Sequence, residues 1–134
     1  MSNPIRSLSL VFAAGIFGGL VNGLVVWLFG KYGITGAFGV RMAPALTPGW
    51  LYPRLVWGGV WGLLFLLPLL RSRTIARGLV LSLGPTLVML FIVFPYEMHQ
   101  GMLGLRLGML TPVFVLLFNA FWGVAAATWL RLSR

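Results

Sequence analysis

The chain has 134 residues, 60% of them hydrophobic and 8% charged, whereas soluble domains carry about a quarter charged residues, so water would not solvate its surface. A net charge of +9 would suggest nucleic acid for a soluble protein, but here the basic residues stand mostly at the ends of apolar runs, so membrane topology explains them and nucleic acid is excluded as a partner. The absence of cysteine excludes disulfides, thiolate metal sites and cysteine nucleophiles.

Four runs carry no charge: residues 8–30, 55–70, 78–96 and 107–130. A bilayer crossing takes about 20 apolar residues, with a range of about 17 to 25. The pattern therefore predicts an all-α integral membrane protein, a four-transmembrane-helix bundle forming a single membrane domain over residues 1–134. The first run exceeds the apolar core of about 7–15 residues in a secretory signal and has no small-x-small cleavage site, so it is expected to be a membrane anchor. It carries Gly15, Gly19 and Gly23 at four-residue spacing, a nearly bare stripe of the kind through which membrane helices approach closely. Asn22 lies near its middle and needs a hydrogen-bond partner there. Asn119, central in the last run, is the expected one.

The connector over residues 30–52 is apolar yet broken by Gly33, Gly36, Gly39, Pro44 and Pro48. Such a segment is expected to lie in the interface or to re-enter the protein, where other chain covers its backbone. Thr47-Pro48 signals a helix start, threonine as N-cap and proline at the first helical position, and Thr111-Pro112 repeats the signal. The second run reaches full length by extending back through Arg54, which is expected to snorkel to the interface. It pairs Gly58 with Gly62. The basic turn Arg71-Ser-Arg73-Thr-Ile-Ala-Arg77 makes the second and third helices antiparallel neighbours, and Gly84-Pro85-Thr86 predicts a kink in the third, freeing a carbonyl for Thr86 or Ser82 to satisfy.

Residues 94–100 hold Glu97 and His99, the chain's only acid and only histidine. No serine, cysteine or second acid completes a catalytic set by spacing, so no enzyme is expected. Glu97 is expected to pair with Lys31, Arg41 or Arg106. Met98, His99 and Met102 are soft ligands, but without a second histidine they do not make a metal site; no metal or cofactor is predicted.

Two stretches match. Gly36-Ala-Phe-Gly39-Val-Arg41, followed by Leu46-Thr47-Pro48, parallels Gly101-Met-Leu-Gly104-Leu-Arg106, followed by Leu110-Thr111-Pro112. The chain is therefore read as two parallel helix–connector–helix repeats, 8–70 and 78–131, whose Gly/Pro-rich connectors lie on the non-cytoplasmic side. Six basic groups fall on one side of the expected topology and four, with Glu97, on the other, so the positive-inside rule puts both termini in the cytoplasm. The scarcity of lysine and short loops point to a bacterial inner membrane. Arg41, Arg106, Thr47 and Thr111 are expected to form an anion or anionic-lipid site on the non-cytoplasmic face. The functional expectation is a small non-catalytic accessory or assembly subunit that packs against another membrane protein or itself and contacts membrane lipids. The alternative is a homo-oligomeric channel or carrier for an anion or small solute.

Overall fold

A computed structural model describes residues 3–133 and places them in helices and connecting turns, with no strand among the described residues. The elements run α1 (Pro4–Lys31), α2 (Ile34–Ala37), α3 (Pro48–Trp61) with a 3-10 extension Gly62–Leu66, α4 (Thr74–Leu81), α5 (Leu83–Val88) with a π-helical continuation Met89–Glu97, a 3-10 turn Met102–Gly104, and α6 (Thr111–Leu132). Three helices are long and apolar enough to cross a membrane: Pro4–Lys31, Thr74–Glu97 and Thr111–Leu132. The remaining apolar run, the second along the chain, is helical as well, but tightens into 3-10 geometry after Trp61 and turns extended at Leu67.

Local chemistry sets the ends. Asn3 caps α1, its side chain accepting the Ile5 N–H at 2.8 Å, and Pro4 occupies a first-turn position where no N–H is needed. Thr47 caps α3 by accepting from the Trp50 N–H at 3.3 Å. The parallel expectation for Thr111 is corrected: its hydroxyl is fully buried, makes no cap bond and has no partner. Its methyl packs against Gly104, and the side chain is enclosed by protein instead of standing at an open first turn.

The third long helix is interrupted at Ser82, between α4 and α5. Pro85 lacks the N–H that would bond the Leu81 carbonyl, which accounts for the break. The nearby hydroxyls serve other carbonyls, however: Thr86 donates to Ser82 O at 2.8 Å and Ser82 to Leu79 O at 2.7 Å. Further on, Pro95 removes a second donor, and its ring clashes with the carbonyl four residues back in ordinary α geometry. The wider π turn of Met89–Glu97 accommodates it.

α1 is the central helix, flanked by α3 on one side and α6 on the other, while α4 packs on α6. Helices this apolar pack through close van der Waals approach, and small residues permit it. Gly15 and Gly19 lie against Gly58, Gly62 and the Arg54 carbonyl; Gly18, on the other face, lies against Trp122. Gly78 and Gly123 make the equivalent crossing between α4 and α6. The Trp122 indole N–H donates to the carbonyls of Gly15 at 3.2 Å and Gly58 at 3.3 Å, tying three helices at one buried point. The glycine faces are thus occupied within the chain itself.

Arg77 is not part of a solvated turn, as its sequence neighbourhood suggests. It is 7% exposed, and its guanidinium donates to the carbonyls of Phe65 at 2.5 Å and Leu67 at 3.2 Å. It therefore closes the 3-10 end of the second apolar run from a neighbouring helix.

At the opposite end the two Gly-rich connectors meet. The Arg41 N–H donates to Leu107 O at 2.9 Å, and the Arg41 guanidinium donates to the Arg106 carbonyl. Val40 is buried with Val26, Phe114 and Phe118 beneath them. Gly39 and Gly104, matched in the two motifs, both adopt left-handed backbone, whereas their partners differ: Gly36 is helical and Gly101 left-handed.

Candidate functional site: a cleft between the second and third apolar helices

α3 packs on α1 and the Thr74–Glu97 helix packs on α6, but the two outer helices share no extensive contact. Between them is a cavity of about 410 Å³, bounded by α1 and α6 behind, by Met42 of the first connector at one end, and by α3 and the α5–π segment at the sides. That volume lies within the range of small-molecule sites. Trp57 and Ile92 line it and are 62% and 50% exposed, so it opens sideways between the outer helices. Away from the connectors the gap narrows where Trp61 and Leu64 stand against Gly84.

The cavity gathers polar side chains that the sequence spreads over four helices. Asn22 is buried on α1; its amide donates to Phe118 O at 2.9 Å, and its carbonyl oxygen accepts from the Arg54 guanidinium at 3.1 Å. Arg54 also stacks over the Trp50 ring at 4.3 Å. The expectation that Arg54 snorkels outward is therefore corrected, because an inward-facing amide acceptor and an aromatic face hold it in the cavity wall. The direct Asn22–Asn119 pair is corrected too: Asn119 lines the same cavity but donates to Thr86 Oγ1 at 3.0 Å. Each amide instead finds its partner on the neighbouring helix.

Glu97, at the end of the π segment, also lines the cavity. The cations expected to pair with it are engaged elsewhere. Lys31 lies over Trp27 at 4.9 Å, Arg41 bonds the Arg106 carbonyl, and Arg106 donates to His99 O at 3.4 Å. Arg41 and Arg106 do come together on the exposed connector surface, but they do so by bonding loop carbonyls. Thr47 is occupied as a cap, and Thr111, being 0% exposed, touches nothing that arrives from outside. The four-residue concavity expected of these residues is corrected to a pair of exposed arginines. Among the described residues no group of three metal-ligating side chains converges.

No protein-family model, curated protein or solved structure matches the chain. Fold and cavity define a class only: an all-helical protein with three membrane-length helices and a polar-floored cleft open along its side. The cleft is not legible along the chain, where Arg54 reads as an interface residue and Glu97 as a loop residue. The available signal was the four-residue offset of Trp50 and Arg54 on one helix face, which directs the guanidinium along the helix toward Trp50 rather than out to solvent.

Proposed function

We propose that the chain is a non-catalytic membrane protein of four crossings that acts as an accessory subunit by holding an amphiphile from the bilayer in this cleft. The fourth crossing is α3 with its 3-10 extension. Fourteen α-helical and five 3-10 residues rise about 1.5 and 2.0 Å each, roughly 31 Å in total, against a hydrocarbon core of about 30 Å. Stretching the last turn into 3-10 geometry lets a short run span the core. The matched connector motifs and the shared left-handed Gly39 and Gly104 support a duplicated helix–connector–helix unit. The distribution of arginines supports cytoplasmic termini, and the scarcity of lysine with short loops supports a bacterial inner membrane.

The observation that carries the reading is the sideways-open cavity with Asn22, Arg54 and Asn119 at its floor and tryptophan and aliphatic walls. Membrane-embedded polar groups are expensive and mark sites where something polar is met. A second reading, a homo-oligomeric carrier, is favoured by the same convergence of Asn22 and Asn119 on one cavity, which supplies the polar stripe a solute path needs.

The test is purification of a tagged chain from its native membrane in mild detergent, followed by intact-complex mass spectrometry. One retained lipid per chain, lost when Val93→Trp fills the cleft, supports the proposal, and a stoichiometric larger partner identifies the accessory role. A lipid-free chain overturns the cleft reading. A homogeneous homo-oligomer without partners replaces the accessory role with the carrier.

A further inference from the structure

Arg54 and Glu97 both line the cleft, carry opposite charges and do not pair with each other. Arg54 has five N–H donors and bonds the neutral Asn22 amide, and among the described residues no carboxylate pairs with it. Glu97 is the only acid in 134 residues, and Lys31, Arg41 and Arg106 are each engaged with a ring or a carbonyl. Both charged residues belong to the connector half of the cleft: Arg54 lies in the first half of α3, and Glu97 ends the antiparallel π segment. Trp57, Trp61, Pro85, Val88 and Met89 give the cleft apolar walls.

We propose, building on the amphiphile reading above, that the cleft selects a zwitterionic lipid head, its phosphate on the Arg54 guanidinium and its ammonium toward the Glu97 carboxylate, with the acyl chains along the tryptophan walls. Arg54 is half-buried, and a ligand that supplies a negative charge offsets the cost of taking its guanidinium out of water, while the exposed Glu97 carboxylate attracts a cation at the edge of the cleft. A purely anionic head satisfies Arg54 but brings a second negative charge to Glu97, and an uncharged glyceride leaves both groups unmet. A head with both charges in the right order satisfies each. Guanidinium and phosphate match in planar, two-bond geometry, while the sideways opening admits the rest of a lipid whose chains remain in the bilayer.

The experiment is intact-complex mass spectrometry of the full chain in detergent, titrated separately with phosphatidylethanolamine, phosphatidylglycerol, a diacylglycerol and glycerophosphoethanolamine, the head without its chains. The wild-type chain is expected to hold phosphatidylethanolamine about tenfold or more tightly than the diacylglycerol, the factor that one charge-assisted hydrogen bond carries, and more tightly than phosphatidylglycerol. Arg54→Gln should lose that advantage. Glu97→Gln, at an exposed position that leaves folding intact, should reverse the order so that phosphatidylglycerol binds better than phosphatidylethanolamine. Equal binding of the two phospholipids by the wild type, or an order unchanged in Glu97→Gln, overturns the inference while leaving the cleft reading standing. Failure of all three lipids to bind removes the cleft reading itself. Competition by the chain-free head as strong as that of the whole lipid overturns the membrane source and makes the ligand a soluble zwitterion.

Discussion

Replacing Gly19 by alanine tests whether bare backbone contact holds α1 to α3. A Cβ at Gly19 would stand 2.6 Å from the Arg54 carbonyl oxygen and 3.3 Å from the Leu55 Cα, against ordinary contact from 3.4 Å upward. The obstacle is helix backbone, which cannot rotate aside as a side chain does, so the helices must separate by about 0.8 Å there, the difference between 3.4 and 2.6 Å. A gap of about 0.5–1 Å forfeits a quarter to a half of each dispersion contact across the crossing, and forced overpacking costs about 1–3 kcal/mol. Alanine's better helix propensity returns at most about 1 kcal/mol, so a net destabilisation of about 1–2 kcal/mol is expected. The same separation loosens the Arg54–Asn22 hydrogen bond, because Arg54 rides on the displaced turn. The assay is thermal or denaturant unfolding in detergent, with Gly49→Ala as control: Gly49 is in the first turn of α3 with nothing within 4 Å of an added Cβ. That control should be neutral or slightly stabilising. If Gly19→Ala unfolds no more easily than Gly49→Ala, close glycine contact is not what joins these helices, and the packing argument fails.

Arg77→Ala should destabilise by about 1.5–3 kcal/mol, the usual worth of hydrogen bonds to a charged group, because the Phe65 and Leu67 carbonyls lose their guanidinium donor; unfolding measured beside Arg73→Ala, an exposed neighbour, checks it. Trp122→Phe keeps the ring but deletes the indole N–H that bridges Gly15 and Gly58, and a loss of about 1 kcal/mol in the same assay is expected. A double-mutant cycle on Asn119 and Thr86, whose side chains bond at 3.0 Å, should return a coupling near 0.6 kcal/mol, the average for such pairs in membranes; a value of zero would mean that the bond does not form. Gly104→Ala should cost at least about 1–2 kcal/mol for its left-handed backbone, with a further penalty because its Cβ would lie 2.6 Å from the Phe94 ring. Loss of the compact species on size exclusion reports it.

Much of the fold was legible along the chain because the controlling effects are local or depend on composition. Long uncharged runs become helices in the structure, since a run with few polar side chains pairs its backbone groups within itself. Thr47-Pro48 starts a helix through a contact spanning three residues, and Pro85 interrupts one by its missing donor. Thr111-Pro112 shows the limit of such reading. The dipeptide is the same, yet Thr111 packs its methyl against Gly104 and buries its hydroxyl, a contact that lies outside the dipeptide.

The cleft depended on tertiary structure throughout. Arg54 reaches Asn22 across 32 positions of sequence, and Asn119 reaches Thr86 across 33. In each case a polar group inside an apolar protein takes the nearest acceptor that the packing offers, and no residue pattern ranks those acceptors beforehand. Arg77 likewise reads as part of a basic turn until the 3-10 end of the neighbouring run presents two carbonyls to it. Composition and backbone chemistry decided that this chain forms apolar helices and where several of them begin. Which glycine meets which carbonyl, which amide takes which partner, and which charges are left facing a cavity were decided only when α1 brought α3 and α6 to its two sides.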